Sequence, residues 1–115
     1  MNSNYEEYFK STQKGNSIVV DVNLVRATAN EAESLKRFLT NLSTENIKSV
    51  ILNLSKCNFI DSTFLSAIVH YNKTMHNLKE GIKLVLTDAR QFSIFKITKI
   101  DSLFKIYSSV DQAIA

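Results

Sequence analysis

Hydrophobic positions along the chain change their period several times, and each change marks an element. Ser17-Ile18-Val19-Val20-Asp21-Val22-Asn23 is a β-branched run that predicts a strand, and Gly15-Asn16 just before it is a turn signal. A short first strand within residues 5–10 would complete an N-terminal hairpin. Thr28-Ala29-Asn30-Glu31 then has the Thr-x-x-Glu form of a capping box. Behind it Ala32, Leu35, Phe38, Leu39 and Leu42 recur at helical spacing, which predicts an amphipathic helix. Val50-Ile51-Leu52, within Ile47 to Leu54, is a short apolar run suited to a strand buried on both faces.

The second half repeats the alternation. A helix is predicted from near Ser62, with Leu65, Ile68, Val69, Asn72 and Met75 along one stripe and Gly81 as its positive-φ ending. Ile82-Lys83-Leu84-Val85-Leu86 follows as a strand. Thr87 or Asp88 could cap a short third helix containing Phe92, Ile94, Phe95 and Ile97. Phe104-Lys105-Ile106-Tyr107 predicts a last strand, and Ser108 or Ser109 a cap for a final turn with Val110, Ala113 and Ile114. The order β-β-α-β-α-β-α-β-α implies an α/β domain with a mixed, mostly parallel sheet of four to five strands and about four helices. Such sheets place functional loops at the carboxyl ends of their strands.

Composition narrows this picture. The chain has 115 residues, which fits one domain spanning residues 1–115, with no proline and two glycines. Its single cysteine, Cys57, excludes an intrachain disulfide and a multi-thiolate metal site, and suits a reducing compartment. The polar, acidic start Met1-Asn2-Ser3-Asn4-Tyr5-Glu6-Glu7 is unlike a secretion signal, and no apolar run approaches the roughly 20 residues of a membrane span. The expected location is therefore the cytoplasm, without membrane insertion. Lysines and arginines exceed acids by 14 to 11 but are scattered, so no basic stripe marks a direct nucleic-acid surface.

Candidate chemistry is sparse. Two isolated glycines cannot form a phosphate-cradling loop of the Gly-x-Gly-x-x-Gly or P-loop type. His70 and His76, six residues apart on a predicted helix, fall on different faces and do not form a metal pair. Asn23-Leu24-Val25-Arg26 lacks the acidic pair of a phospho-acceptor receiver domain. No motif calls for a cofactor or a metal. What remains is Phe59-Ile60-Asp61-Ser62-Thr63-Phe64-Leu65, where a strand has ended and a helix begins on polar residues. Asp61 or Ser62 serves there as N-cap, and a hydroxyl at a helix start is also well placed for phosphorylation.

These residues resemble a known family. Asn53-Leu54-Ser55 followed by Phe59-Ile60-Asp61-Ser62-Thr63-Phe64-Leu65 is similar to the signature of STAS-domain anti-sigma factor antagonists, usually Asp-Ser-Ser/Thr-Gly-Leu. The likeness continues through Gly81 to Leu86 and Leu103 to Tyr107, covering roughly residues 17–115. It implies a partner switch and no enzyme. The unphosphorylated domain binds an anti-sigma factor that is also a serine kinase; phosphorylation at Ser62 releases it, and a PP2C-type phosphatase restores binding. Asp61, Ser62, Thr63 and Phe64 are the implied partner-binding residues. The alternative is a STAS subunit that docks on a transporter complex without phosphorylation.

Two positions depart from the family pattern. Phe64 stands where a small glycine is usual, either as core or as a contact for the partner. Thr98-Lys99-Ile100 stands where Thr-Gly-Leu is common, so that turn is expected to be built differently. Cys57 reads as a packing residue, and Phe92, Phe95 and Phe104 as core.

Overall fold

The computed structural model describes residues 8–87 and 102–115. Their order is β1 (Phe9–Lys14), β2 (Ser17–Val22), β3 (Arg26–Ala27), α1 (Ala29–Thr40), β4 (Ser49–Asn53), β5 (Phe59–Ile60), α2 (Ser62–Thr74), β6 (Gly81–Val85), β7 (Lys105–Tyr107) and α3 (Val110–Ile114). Five strands form the main sheet in the order β1-β2-β4-β6-β7, and β3 pairs with β5 in a separate ribbon. β1 and β2 are an antiparallel hairpin turned at Gly15, whose φ is +61°; every other pairing is parallel. The mixed, mostly parallel architecture is the expected one, with three helices among the described residues.

Burial follows the strand period. Ile18, Val20, Val22, Val50, Leu52, Ile82 and Leu84 join the main core with Leu35, Leu39, Leu65 and Ile68 from α1 and α2. The alternate residues Val19, Ile51 and Val85 face the other way, into a small cluster around Ala113 of α3. That is why β4 reads as a continuous apolar run: each of its faces has a helix to pack against. Lys83 shares the second face and is 4% exposed. Its ammonium donates to the Ala113 carbonyl at 2.8 Å and to Glu80 Oε1 at 2.9 Å. The cation thus sits at the negative end of a one-turn helix, beside a carboxylate.

Several sequence expectations shift. The first strand begins at Phe9 and runs on to Lys14, because Lys10 to Lys14 pair residue by residue with Asp21 to Ser17. α2 buries Phe64, Leu65, Ala67, Ile68 and Tyr71, while Val69, Asn72 and Met75 are only half-buried. The stripe is therefore rotated toward Phe64 and Tyr71, the two large rings of the helix. α2 also ends at Thr74, so His76 lies beyond it and Gly81 does not close it. Gly81 has the expected positive φ, +72°, but uses it to turn the Leu78–Gly81 segment into β6. The predicted third helix, with Phe92 and Phe95, and the Thr98-Lys99-Ile100 turn lie outside the described residues.

Candidate functional site

Both long helices start directly after a two-residue strand. β3 leads into Thr28 and then α1, and β5 leads into Asp61 and then α2. The two strands are parallel with Arg26 opposite Phe59 and Ala27 opposite Ile60. Register alone therefore places Thr28 beside Asp61, and the two helix N-termini side by side. The backbone secures this arrangement: Asn58 and Phe59 N–H both donate to the Val25 carbonyl at 2.8 and 3.2 Å, and Asp61 N–H donates to the Ala27 carbonyl at 3.0 Å.

Each cap answers a specific set of otherwise orphaned donors. At Thr28 the capping box forms as the spacing predicts, with the Thr28 N–H donating to Glu31 Oε1 at 2.9 Å and the Asn30 N–H donating to Thr28 Oγ1 at 3.2 Å. At the second helix the alternatives resolve in favour of Asp61. It has extended φ and ψ of −91° and 171°, and its Oδ1 accepts from Phe64 N–H at 2.9 Å. Oδ2 reaches across to the other helix and accepts from Ala29 N–H at 2.9 Å. One carboxylate thus holds two helix N-termini, each carrying partial positive charge.

Ser62 is consequently the first residue of α2, not its cap. Its side chain and that of Thr63 are exposed, while Phe64 is 0% exposed and part of the main core. The expectation that Phe64 contacts a partner is corrected by this burial, since its ring offers no surface. The bulky residue fits a position usual for glycine because the first turn of α2 directs it inward, where it fills core volume. Cys57 closes the turn that begins at Leu54 and is 0% exposed. Burial pushes its thiol up to about 12, as expected of a packing residue.

Sequence reading missed the surface on the other side of the caps. Arg26, Thr28, Ala29, Asn30, Glu31, Phe59 and Asp61 line a groove of about 610 Å³. The Arg26 guanidinium lies over the Phe59 ring, 4.4 Å from its centroid. Phe59 is 42% and Val25 62% exposed, both on or beside the β3–β5 ribbon. Two-residue strands carry too short a pattern to be recognised. The usable signal is the outward Phe59 just before the inward Ile60, an alternation that spans a single step.

Among the described residues no group of three or more His, Cys, Asp or Glu side chains is placed to hold a metal ion, and no helix is long and apolar enough to cross a membrane. The mostly parallel mixed sheet, the paired helix starts and the Asp-Ser turn define one class of α/β domain. The STAS-domain family model matches residues 8–113, and the chain belongs to that family. Its fold is similar to that of an anti-sigma factor antagonist from Mycobacterium paratuberculosis, with a TM-score of 0.82 at 17% identity over 92% of this chain and 89% of that one. It is also similar to the anti-sigma factor antagonist SpoIIAA in its unphosphorylated form, with a TM-score of 0.73 at 12% identity over 92% of each chain. A third likeness is to the Bacillus cell fate determinant SpoIIAA in the phosphorylated form, with a TM-score of 0.63 at 13% identity over 92% of this chain and 96% of that one. No curated protein matches by sequence.

Proposed function

We propose that this chain is an anti-sigma factor antagonist of a cytoplasmic partner-switching pathway. In the unphosphorylated state it binds an anti-sigma serine kinase through the turn formed by Asp61, Ser62 and Thr63. The kinase transfers the γ-phosphoryl group of ATP to Ser62 Oγ, the hydroxyl proton is removed, ADP leaves, and the complex dissociates. A PP2C-type phosphatase hydrolyses the phosphoserine with water, releasing inorganic phosphate and restoring the binding form. The chain is substrate and ligand in this cycle, and performs no chemistry itself.

The observation that carries the reading is the exposure of Ser62 on the first turn of α2, directly after a cap that is fully engaged. A kinase reaches the hydroxyl without unfolding the helix. The added charge of about −2 meets the positive end of the helix, so the fold tolerates it. The same charge beside the Asp61 carboxylate makes the turn strongly anionic, which opposes docking of an apolar or acidic partner face. The similarity to SpoIIAA, a protein solved in both phosphorylation states, supports this choice among STAS functions.

The test is intact mass after incubation with ATP and each anti-sigma serine kinase of the native cell, expressed singly. The expected result is one added phosphate, mapped to Ser62 and absent from Ser62→Ala. Phosphate that persists in Ser62→Ala overturns the site, and an unmodified chain with every kinase overturns the function.

A further inference from the structure

We propose that the β3–β5 ribbon is a second contact surface, in which Arg26 laid over Phe59 and the neighbouring Val25 receive an acidic side chain set in an apolar patch of the kinase. This rests on the partner-switching reading and specifies what the partner must present.

The first support is apolar exposure in one place. Of the three large hydrophobic residues exposed among the described residues, Val25 and Phe59 are joined through the Val25 carbonyl and the Phe59 N–H. Exposed apolar groups that cluster, rather than scatter, mark interaction surfaces. Phe59 sits on β5 and Val25 directly before β3, the strands that deliver Asp61 and Thr28, so a partner on the Ser62 turn has this ribbon within reach.

The second support is charge. The groove contains one cation and two carboxylates, and both carboxylates are already used. Glu31 accepts from the Thr28 N–H and hydroxyl at 2.9 and 3.1 Å, and Asp61 accepts from the Ala29 and Phe64 N–H groups. Arg26 forms no ion pair among the described residues; its recorded contact is with the Phe59 ring. A guanidinium stacked on an aromatic face keeps its edge N–H donors for an incoming carboxylate, which it can grip with two parallel bonds. The stack also limits the side chain's freedom before binding, which lowers the entropic cost of contact. Arg26 and Phe59 are of the residue classes that dominate interfaces.

The experiment uses the kinase that phosphorylates Ser62 in the mass test and measures Kd by titration calorimetry with the unphosphorylated chain. Arg26→Gln and Arg26→Glu are expected to weaken binding about tenfold or more. Phe59→Leu, which keeps an apolar side chain but loses the stack, should weaken it by a smaller factor. Lys79→Glu is the charge-matched control at the opposite end of the sheet, and should bind like the parent. Raising salt should narrow the gap between parent and Arg26→Gln. Circular dichroism confirms that each variant is folded, and Arg26→Lys provides a milder change if the others are not.

Parent-like affinity of the folded Arg26 variants overturns this inference and leaves the function intact. An equal loss in Lys79→Glu overturns it in favour of net charge. Arg26-dependent binding to duplex DNA without loss of kinase affinity overturns it in favour of a nucleic acid. If no kinase modifies Ser62, the function falls and this inference falls with it.

Discussion

Thr28 and Asp61 are neighbouring N-caps of two different helices, brought together by the two-residue register of β3 and β5. Asp61 caps its own helix through Oδ1 and ties down the first residue of the other through Oδ2. The carboxylate beside Ser62 is therefore structural before it is anything else.

Replacing Asp61 by Ala should destabilise the chain by about 2 kcal/mol, because two helix-start N–H groups lose their acceptor at once. Asp61→Asn keeps one acceptor oxygen and should cost about half as much. Urea unfolding checks this, read as a lower midpoint at unchanged slope. Equal costs for both substitutions would mean that the charge, not the second acceptor, matters.

Phe64→Gly would restore the residue usual in the family and should be far from neutral. It removes a fully buried ring and adds backbone freedom in a helix, together worth about 4 kcal/mol or more. Phe64→Leu should cost about 1.5 kcal/mol or less. Thermal melting of the three proteins would rank them parent, Leu, Gly.

Acid should loosen the Lys83 cluster. The hydrogen bond and charge of Lys83, with a smaller contribution from Lys48, hold Glu80 below its ordinary value of 4.5. A carboxyl whose folded value is depressed lends stability that is complete above its unfolded value and fades as pH falls through the folded one. The parent should therefore lose more stability than Glu80→Gln on going from neutral pH to below 4.5, while the two converge in strong acid. Unfolding midpoints of both proteins across that range are the measurement. Parallel curves would show that the ion pair adds nothing.

Tyr71 carries a buried hydroxyl with no hydrogen-bond partner among the described residues, and burial raises its phenol from 10.0 to about 12. Tyr71→Phe removes a polar group that the core does not satisfy, so it should leave stability unchanged or raise it by about 1 kcal/mol. Chemical unfolding decides the sign. A loss of more than about 1 kcal/mol would reveal a partner for the hydroxyl.

How much of this was legible beforehand depends on the range of the signal. Thr28-x-x-Glu31 is a local motif, and its capping box forms as written. Val50-Ile51-Leu52 shows its burial because a strand with helices on both sides has no polar period. The helix start at Ser62 was equally readable from Asp61 and the residues after it. The reach of Asp61 Oδ2 to Ala29 was not, since it depends on a register between strands of two residues each. Lys83 inside a predicted strand gives no hint that its ammonium ends under α3, because the last turn that receives it is 30 residues away. Phe64 shows the same limit: its inward direction is fixed by packing, and pattern alone left it between core and contact.

The spacing of the sheet has a consequence for the time the chain takes to fold. Ser17 pairs with Ser49, 32 positions on, and Ser49 pairs in turn with Gly81, again 81 − 49 = 32 positions on. Each central strand therefore waits for a closed loop of equal length, with a helix inside it, before any ladder bond rewards the closure. Among the described strand pairings, only the β1–β2 hairpin is local. Mixed topologies of this kind assemble more slowly than helical bundles and faster than β-sandwiches. The hairpin and the two capped helices are the parts able to form early, leaving the junction of Thr28 and Asp61 to close with the parallel strands.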